Sequence, residues 1–482
     1  MQTVPMETLV EDRTRWTALY TLCGAMLMMV LDVTVVNVAL PSIQDDLHFT
    51  DAGLAWVVNG YLIAFAGLLL LSGRLGDLLG RQRVLLTGLV VFTVASLLCG
   101  AAQTQAMLVG ARFLQGVGGA LASAVVLGMI VTLFPDEGEQ MKALGVYGFV
   151  ASAGGAVGLV AGGLITQAIS WHWIFFVNVP IGVVVIATIR RVVPQDDGIG
   201  LDRGADVPGA VLITGSLMVS VYALVGPGAR DGLGSPLTLG LLAAGAALLG
   251  AFVVRQATAA TPLMPLRLFR SRTTVGANLV QTLTVAGMFG MFFLSSLYLQ
   301  RVLHYDALQI GLAFFPCTVL TAVISLRVAD KVVARYGAQH TLTAGTALSA
   351  LGLLLFGFVP VDGHYLSDVL PGITLLGIGM GVAFPALMAI AMSEATPEDA
   401  GLASGLVGTT AEAGAAVGLA VLATIAAGRS STLAGRGLSE ASALVGGYHL
   451  AFFLGTAFLT VATALSAFVL RTEGKIVEPG HH

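Results

Sequence analysis

"AGGAVGL" at 153–159 returns as "AGAAVGL" at 413–419, 260 positions further along. A second pair of stretches keeps nearly the same offset. Gly53 opens "GLAWVVNGYLIAFAG" and Gly80 begins "GRQRVLL", while Gly311 opens "GLAFFPCTVLTAV" and Gly337 begins "GAQHTL". Either match alone would be weak in a chain with 61 glycines. Two matches at nearly one offset point to an internal duplication.

Composition says what is duplicated. Of 482 residues, 56% are hydrophobic and 10% are charged, and the mean hydropathy is +0.90. Soluble domains carry roughly 25% charged residues, so the whole chain reads as an integral membrane protein. A spanning helix needs about 20 apolar residues. Fourteen such segments can be read: 17–40, 52–72, 83–102, 106–134, 140–168, 173–191, 206–226, 236–254, 273–300, 307–328, 341–359, 366–392, 400–427 and 448–470. The first run is too long for a signal-peptide core and has no small-residue cleavage pattern, so it is expected to remain as a helix. The repeats then fall in helices 2 and 10 and in helices 5 and 13. The expected fold is all-α, with 14 transmembrane helices in two six-helix bundles plus two inserted helices. The expected domains are 1–195, an insert at 196–260 (helices 7 and 8) and 261–482. Paired bundles with a site between them near the midplane are a transporter design.

Lysine and arginine set the expected orientation. With a cytoplasmic N-terminus, eighteen of the 23 basic side chains fall on the inner side, four on the outer side, and Arg112 inside a span. This positive-inside bias puts both termini in the cytoplasm. The chain is expected in the inner (cytoplasmic) cell membrane, surrounded by lipid. A net charge of −4 argues against a nucleic-acid partner. Cys23, Cys99 and Cys317 lie far apart in apolar runs and read as small core residues. The eight histidines form no metal-binding pattern, and the terminal His481-His482 is set aside. No G-x-x-x-x-G-K-[ST] phosphate cradle is present. No cofactor is expected, and uphill transport would draw on an ion gradient.

Such coupling needs titratable groups within the membrane. An aspartate at the bilayer centre costs roughly 2.5–3.5 kcal/mol on translocon scales. Three ionisable residues sit well inside spans: Asp32 in helix 1, Arg112 in helix 4 and Glu412 in helix 13. Arg112 could instead snorkel to the interface. Glu412 has Ser152 as its counterpart in the first copy, so the fold does not require an acid there. Glu394, at the inner end of helix 12, reads as interfacial. Trp171 and Trp173 read as interfacial aromatics. Tyr61, Asn278 and Gln281 are polar residues in spans of the two bundles and are candidate cavity liners.

Four stretches carry a family resemblance: "LDVTVVNVALP" (31–41), "GRLGDLLGRQR" (73–83), "LVGARFLQGVGGA" (108–120) and "WHWIFFVNVPIG" (171–182). The chain resembles the major facilitator superfamily, specifically its fourteen-helix drug:proton antiporter branch. The resemblance implies proton-coupled efflux of amphipathic or cationic small molecules by alternating access, not an enzyme. It implies proton coupling through Asp32, Arg112 and Glu412. It also implies a conformational latch at Gly73, Asp77, Gly80, Arg81 and Arg83. The branch's helix-5 motif is matched at Gly154, Gly158, Gly162 and Gly163, but Leu159 stands where proline is usual. An alternative on the same fold is a dedicated exporter of one endogenous antibiotic, siderophore or lipid. The partners expected are the small-molecule substrate, protons and lipids, and the functional unit expected is a monomer. A membrane enzyme or sensor is disfavoured, because the charges are scattered singly and no loop is long enough for a signalling domain.

Overall fold

The computed structural model describes residues 6–134, 136–193, 195–196, 198–200, 204–264, 266–393 and 400–470. Glu394, Arg203, Arg471, Lys475 and His481-His482 lie outside the described residues, and so does the side chain of Ser152.

Among the described residues the fold has fourteen long helices: α1 Met6–Leu47, α2 Asp51–Leu79, α3 Arg81–Gly100, α4 Gln105–Leu133 and α5 Glu137–Ala168; α6 Trp173–Val192 and α7 Val207–Asp231; α8 Pro236–Thr258, α9 Arg272–Arg301, α10 Ala307–Arg327 and, after a short helix at Ala329–Tyr336, α11 Ala338–Phe356; α12 Tyr365–Met392; and α13 Ala400–Gly435 with α14 Glu440–Phe468. Thirteen are long and apolar enough to span a membrane by composition. The other is α11, whose 19 residues begin with the polar Gln339 and His340. It still packs against α12 and α14 as α3 packs against α4 and α6. Among the described residues there is no strand.

The duplication is visible in the packing. In the first six helices α5 and α6 pack on α1, and α4 packs on α2 and α3. In the last six, α13 and α14 pack on α9, and α12 packs on α10 and α11. The repeated glycines do the same work in both copies. Gly154, Gly158 and Gly162 abut Leu27, Thr34 and Val35 of α1, while Gly414 and Gly418 abut Thr282 and Ala286 of α9. Small residues at this spacing let two helix backbones approach closely. Two seams join the bundles, α5 on α10 and α2 on α13, and the internal symmetry exchanges them.

Several elements run past their expected ends. Helix α1 continues through Pro41 to Leu47, and α13 extends to Gly435. Helix α6 is broken at Val177 into Trp173–Phe176 and Asn178–Val192. Helix α7 closes in a π-turn at Leu224–Gly228 around Pro227, which removes one backbone donor. Trp171 departs from the interfacial expectation. It is buried, stacks on His172 and donates Nε1 to Asp46 Oδ2 at 2.9 Å, so it fastens α6 to the α1–α2 turn. Trp173 is exposed.

Helix α7 packs on α2 and α13 across their seam, and α8 packs on α7. At Gly67 of α2 the side chain of Thr214 occupies the space a Cβ would need. Thr424 of α13 donates to the Leu224 carbonyl at 3.1 Å. Asp206 clasps the insert by capping α7 at Gly209 and accepting from Arg255 at 2.9 Å and Gln256 at 2.8 Å. Burial works against that charge, but the hydrogen bonds outweigh it and hold the Asp206 carboxyl below the usual range.

Candidate functional site

Asp32 and Arg112 meet. The guanidinium donates Nη1 to Asp32 Oδ2 at 2.5 Å, and each residue is about 1% exposed. Arg112 therefore does not snorkel. Its Nε donates to the Val57 carbonyl at 2.9 Å and its Nη1 also to Gln115 Oε1 at 2.7 Å. The guanidinium lies 4.7 Å from the centre of the Tyr61 ring, a cation–π contact strengthened by desolvation.

A buried ion pair is tolerable only when the remaining lone pairs and protons are also satisfied. Three neutral side chains see to that. Gln115 donates to Asp32 Oδ1 at 2.6 Å and Asn178 at 3.0 Å. Both amides also donate to Ser96 Oγ, at 2.7 and 3.0 Å. The network draws on α1, α2, α3, α4 and α6, which makes it the polar keystone of the first bundle. Gln115 and Asn178 stand inside the stretches that carry the family resemblance, but as uncharged residues they gave no signal of their own.

Glu412 is not in direct contact with this pair. It is half-buried on α13 and has no hydrogen-bond or ion-pair partner among the described residues. It shares a helix face with Gly405 and Gly408, which approach Leu70 and Leu69 of α2. Tyr61, also on α2, contacts the Arg112 guanidinium.

A cavity of about 250 Å³ lies between the bundles, walled by α1 and α5 on one side and by α9, α10 and α12 on the other. Met288, Met291, Met380, Phe289, Phe292 and Phe384 line it, with Thr34, Asn37, Thr318 and Thr321 as the polar members. Helix α1 serves both features, presenting Asp32 to its own bundle and Val33, Thr34 and Asn37 to the cavity. Tyr61, Asn278 and Gln281 do not line this cavity. Tyr61 belongs to the ion-pair network, and Asn278 ties α9 to Thr410 of α13 at 2.8 Å. Gln281 is buried, and its Oε1 has no hydrogen-bond partner among the described residues. The methionine and phenylalanine wall reads in sequence as an ordinary apolar span.

At the face of the α1–α2 turn the bundles are tied together. Arg301 of α9 reaches Asp45 at 3.7 Å and Asp51 at 3.5 Å, and Ser296 donates to the Asn37 carbonyl. Gly163 and Gly311 bring α5 and α10 together, with the Leu159 carbonyl where a Gly311 Cβ would stand. Helix α5 runs through Leu159 without interruption. Thus three glycines of the helix-5 motif face α1, and the fourth faces the other bundle.

The stretch Gly73–Arg83 forms the α2–α3 turn at the opposite face. Gly80 has φ 95°, a conformation that glycine adopts without strain, and a Cβ there would overlap the Asp196 carbonyl. Asp77 is half-exposed and pairs with Arg81 at 3.5 Å. Arg81 also donates to the Gly128 carbonyl and Thr132 of α4. The segment leading to the insert straps this turn. Asp196 accepts from the backbone of Arg81 and Gln82 at the start of α3, and the N–H groups of Ile199 and Gly200 donate to the carbonyls of Asp77 and Leu78.

Comparison with known proteins places this architecture. The model of the Major Facilitator Superfamily matches residues 22–419. The chain is 37% identical to a puromycin resistance protein of Streptomyces alboniger, over 98% of this chain and 95% of the relative. It is 38% identical to a cephamycin export protein of Amycolatopsis lactamdurans, over the same shares. In fold it is similar to a bacterial homologue of the human lysosomal transporter Spinster, solved inward-facing and unoccupied. That match has a TM-score of 0.67 at 14% identity and covers 95% of this chain and 97% of the other. With a family match over most of its length and relatives above 30% identity over nearly all of it, the chain belongs to the Major Facilitator Superfamily.

Proposed function

We propose that this protein is a proton-coupled exporter of small amphipathic molecules, acting by alternating access in the cytoplasmic membrane. One observation carries the reading: helix α1 holds the buried Asp32–Arg112 pair on one face and a wall of the inter-bundle cavity on another. A change of protonation at Asp32 would be felt by the cavity through a single rigid element. Glu412, unpaired and facing α2, is proposed as a second proton site. Export as the direction is supported by the two antibiotic relatives. Each is named for one antibiotic, which favours a dedicated exporter over a broad one. Susceptibility profiling in a strain stripped of its own pumps tests both readings. Raised tolerance to one structural class supports the dedicated exporter, raised tolerance to many classes supports the broad one, and no change against any compound would overturn export.

The orientation proposed puts both termini in the cytoplasm, following the distribution of basic residues. The exposed His48 and Arg83 offer label positions at the two faces, whereas the nearby Gln44 and Gln82 are buried and hydrogen-bonded. An impermeant thiol reagent is expected to label His48→Cys from outside and Arg83→Cys only after the membrane is opened. Labelling of both from outside would reverse the assignment.

The α2–α3 turn is proposed as the latch that holds its face shut in one conformation. Asp77→Asn removes a half-exposed charge and leaves the core intact. Transport is expected to fall at least tenfold while expression and thermal stability stay within about 0.5 kcal/mol of the parent. Normal transport at normal expression would reduce Asp77 to an anchor.

A further inference from the structure

The cavity's chemistry constrains its occupant more closely than export alone. No lining residue is charged. Asp32, on the same helix as three lining residues, does not line the cavity and is occupied by three donors. Glu412 stands on α13, which contributes nothing to the lining. Two basic groups that touch α1 are equally committed, with Arg112 inside the buried network and Arg301 between Asp45 and Asp51. An unpaired ion in such a space would go uncompensated.

The polar groups that do line the cavity lean one way. Thr34 gives its hydroxyl proton to the Val30 carbonyl at 2.9 Å, Thr318 to Phe315 at 3.0 Å and Thr321 to Gly377 at 3.2 Å. Each hydroxyl keeps lone pairs and no free proton. Asn37 donates Nδ2 to the Val33 carbonyl at 3.2 Å, which leaves its Oδ1 as an acceptor. Against these four acceptors the side chains offer one uncommitted amide hydrogen, on Asn37, and the weak thiol of Cys317. Most of the remaining wall is three methionines, which adapt to irregular shapes, and three phenylalanines, which stack on aromatic rings, beside Val33, Leu159, Leu376 and two small residues.

Resting on the export reading, we infer that this cavity takes an uncharged, aromatic or aliphatic molecule bearing O–H or N–H donors, and discriminates against anions and permanent cations. The donors pair with the threonine and asparagine oxygens, and the apolar body fills the Met/Phe wall.

A matched coumarin series tests this on the purified full-length protein. 7-Amino-4-methylcoumarin is neutral and carries N–H donors, its 7-dimethylamino analogue lacks them, and its 3-acetate derivative adds an anion to the same scaffold. Ethidium supplies a permanent aromatic cation. The amino compound is expected to bind saturably and to protect Cys317, which lines the cavity, from a small thiol reagent. It should bind roughly 2- to 10-fold tighter than the dimethylamino analogue, and at least tenfold tighter than the acetate and ethidium. Thr318→Val and Thr321→Val, which keep side-chain shape and remove an acceptor, should narrow the amino-to-dimethylamino ratio. Equal or tighter binding of the acetate or ethidium, a ratio unmoved by both valine variants, or no saturable binding of the amino compound would each overturn the inference. Gly155→Phe separates this from the export reading, because Gly155 lines the cavity and a Cβ there meets only the Thr34 methyl, at 4.0 Å. Resistance lost in Gly155→Phe alongside a preference for charged probes leaves export standing and overturns the neutral-donor assignment. Resistance retained in Gly155→Phe would leave export standing and overturn the assignment of this cavity, whereas no resistance from the parent protein would overturn export itself.

Discussion

An Arg112→Ala protein is expected to lose coupled transport and about 3–5 kcal/mol of stability. Removing one partner of a buried pair leaves the other as an uncompensated charge, and costs of that size follow. Here the loss is compounded, because Arg112 also serves the Val57 carbonyl and Gln115 and stacks on Tyr61. Arg112→Lys keeps the charge but lacks the planar fork that serves several acceptors at once, so partial stability and weak transport are expected. The double variant Arg112→Ala with Asp32→Asn removes both charges and should regain part of the lost stability without regaining coupling. Thermal unfolding in detergent measures the first quantity and vesicle transport the second. An Arg112→Ala protein with wild-type stability and rate would show that the pair is ornamental.

Gly311→Leu is expected to abolish transport through geometry alone. The Leu159 carbonyl already occupies the place of a Gly311 Cβ, and it is backbone, which cannot rotate aside. Any side chain must push α5 and α10 apart at the seam near Arg301. Gly311→Ala is expected to slow transport at least tenfold, and Gly311→Leu to leave Cys317 of the cavity more reactive from the face of the α1–α2 turn. Overpacking of this kind costs about 1–3 kcal/mol. Gly250→Ala on α8 is the control, because a Cβ there meets nothing within 4 Å, and it should transport normally. Wild-type activity in Gly311→Leu would mean that the seam is not required to close.

Much of this architecture was legible in the chain. The glycine repeats mark equivalent helix-on-helix contacts, because close approach requires a missing side chain and so leaves a mark in composition. Asp32 and Arg112 stood out because charge in an apolar run is costly, and the structure brings them together. What supports them was not legible. Ser96, Gln115 and Asn178 are neutral and blend into their spans, so only their convergence from three helices reveals their task. The cavity was hidden for the opposite reason: Met288, Phe289, Met291 and Phe292 are what any spanning helix would carry. Cavity liners sought among polar residues, Tyr61, Asn278 and Gln281, belong instead to the ion-pair network or to the packing of the second bundle. Helices α7 and α8 had no role in the sequence; α7 lies across one inter-bundle seam with α8 packed on it, and Asp196, Ile199 and Gly200, ahead of α7, hydrogen-bond to the α2–α3 turn.

Proton coupling through Asp32 is tested most directly in proteoliposomes carrying an internal pH indicator. A compound to which the protein confers resistance is added on one side, with no imposed gradient. The wild-type protein is expected to move protons against the compound, and each proton moving through 100 mV would supply about 2.3 kcal/mol to an uphill cycle. Asp32→Asn keeps the shape and the hydrogen-bonding capacity of the site and removes its titration. It should abolish compound-driven proton movement while compound binding and downhill exchange persist. Proton movement at the wild-type rate in Asp32→Asn, and in Asp32→Asn combined with Glu412→Gln, would contradict coupling and leave Asp32 as a structural member of the first bundle.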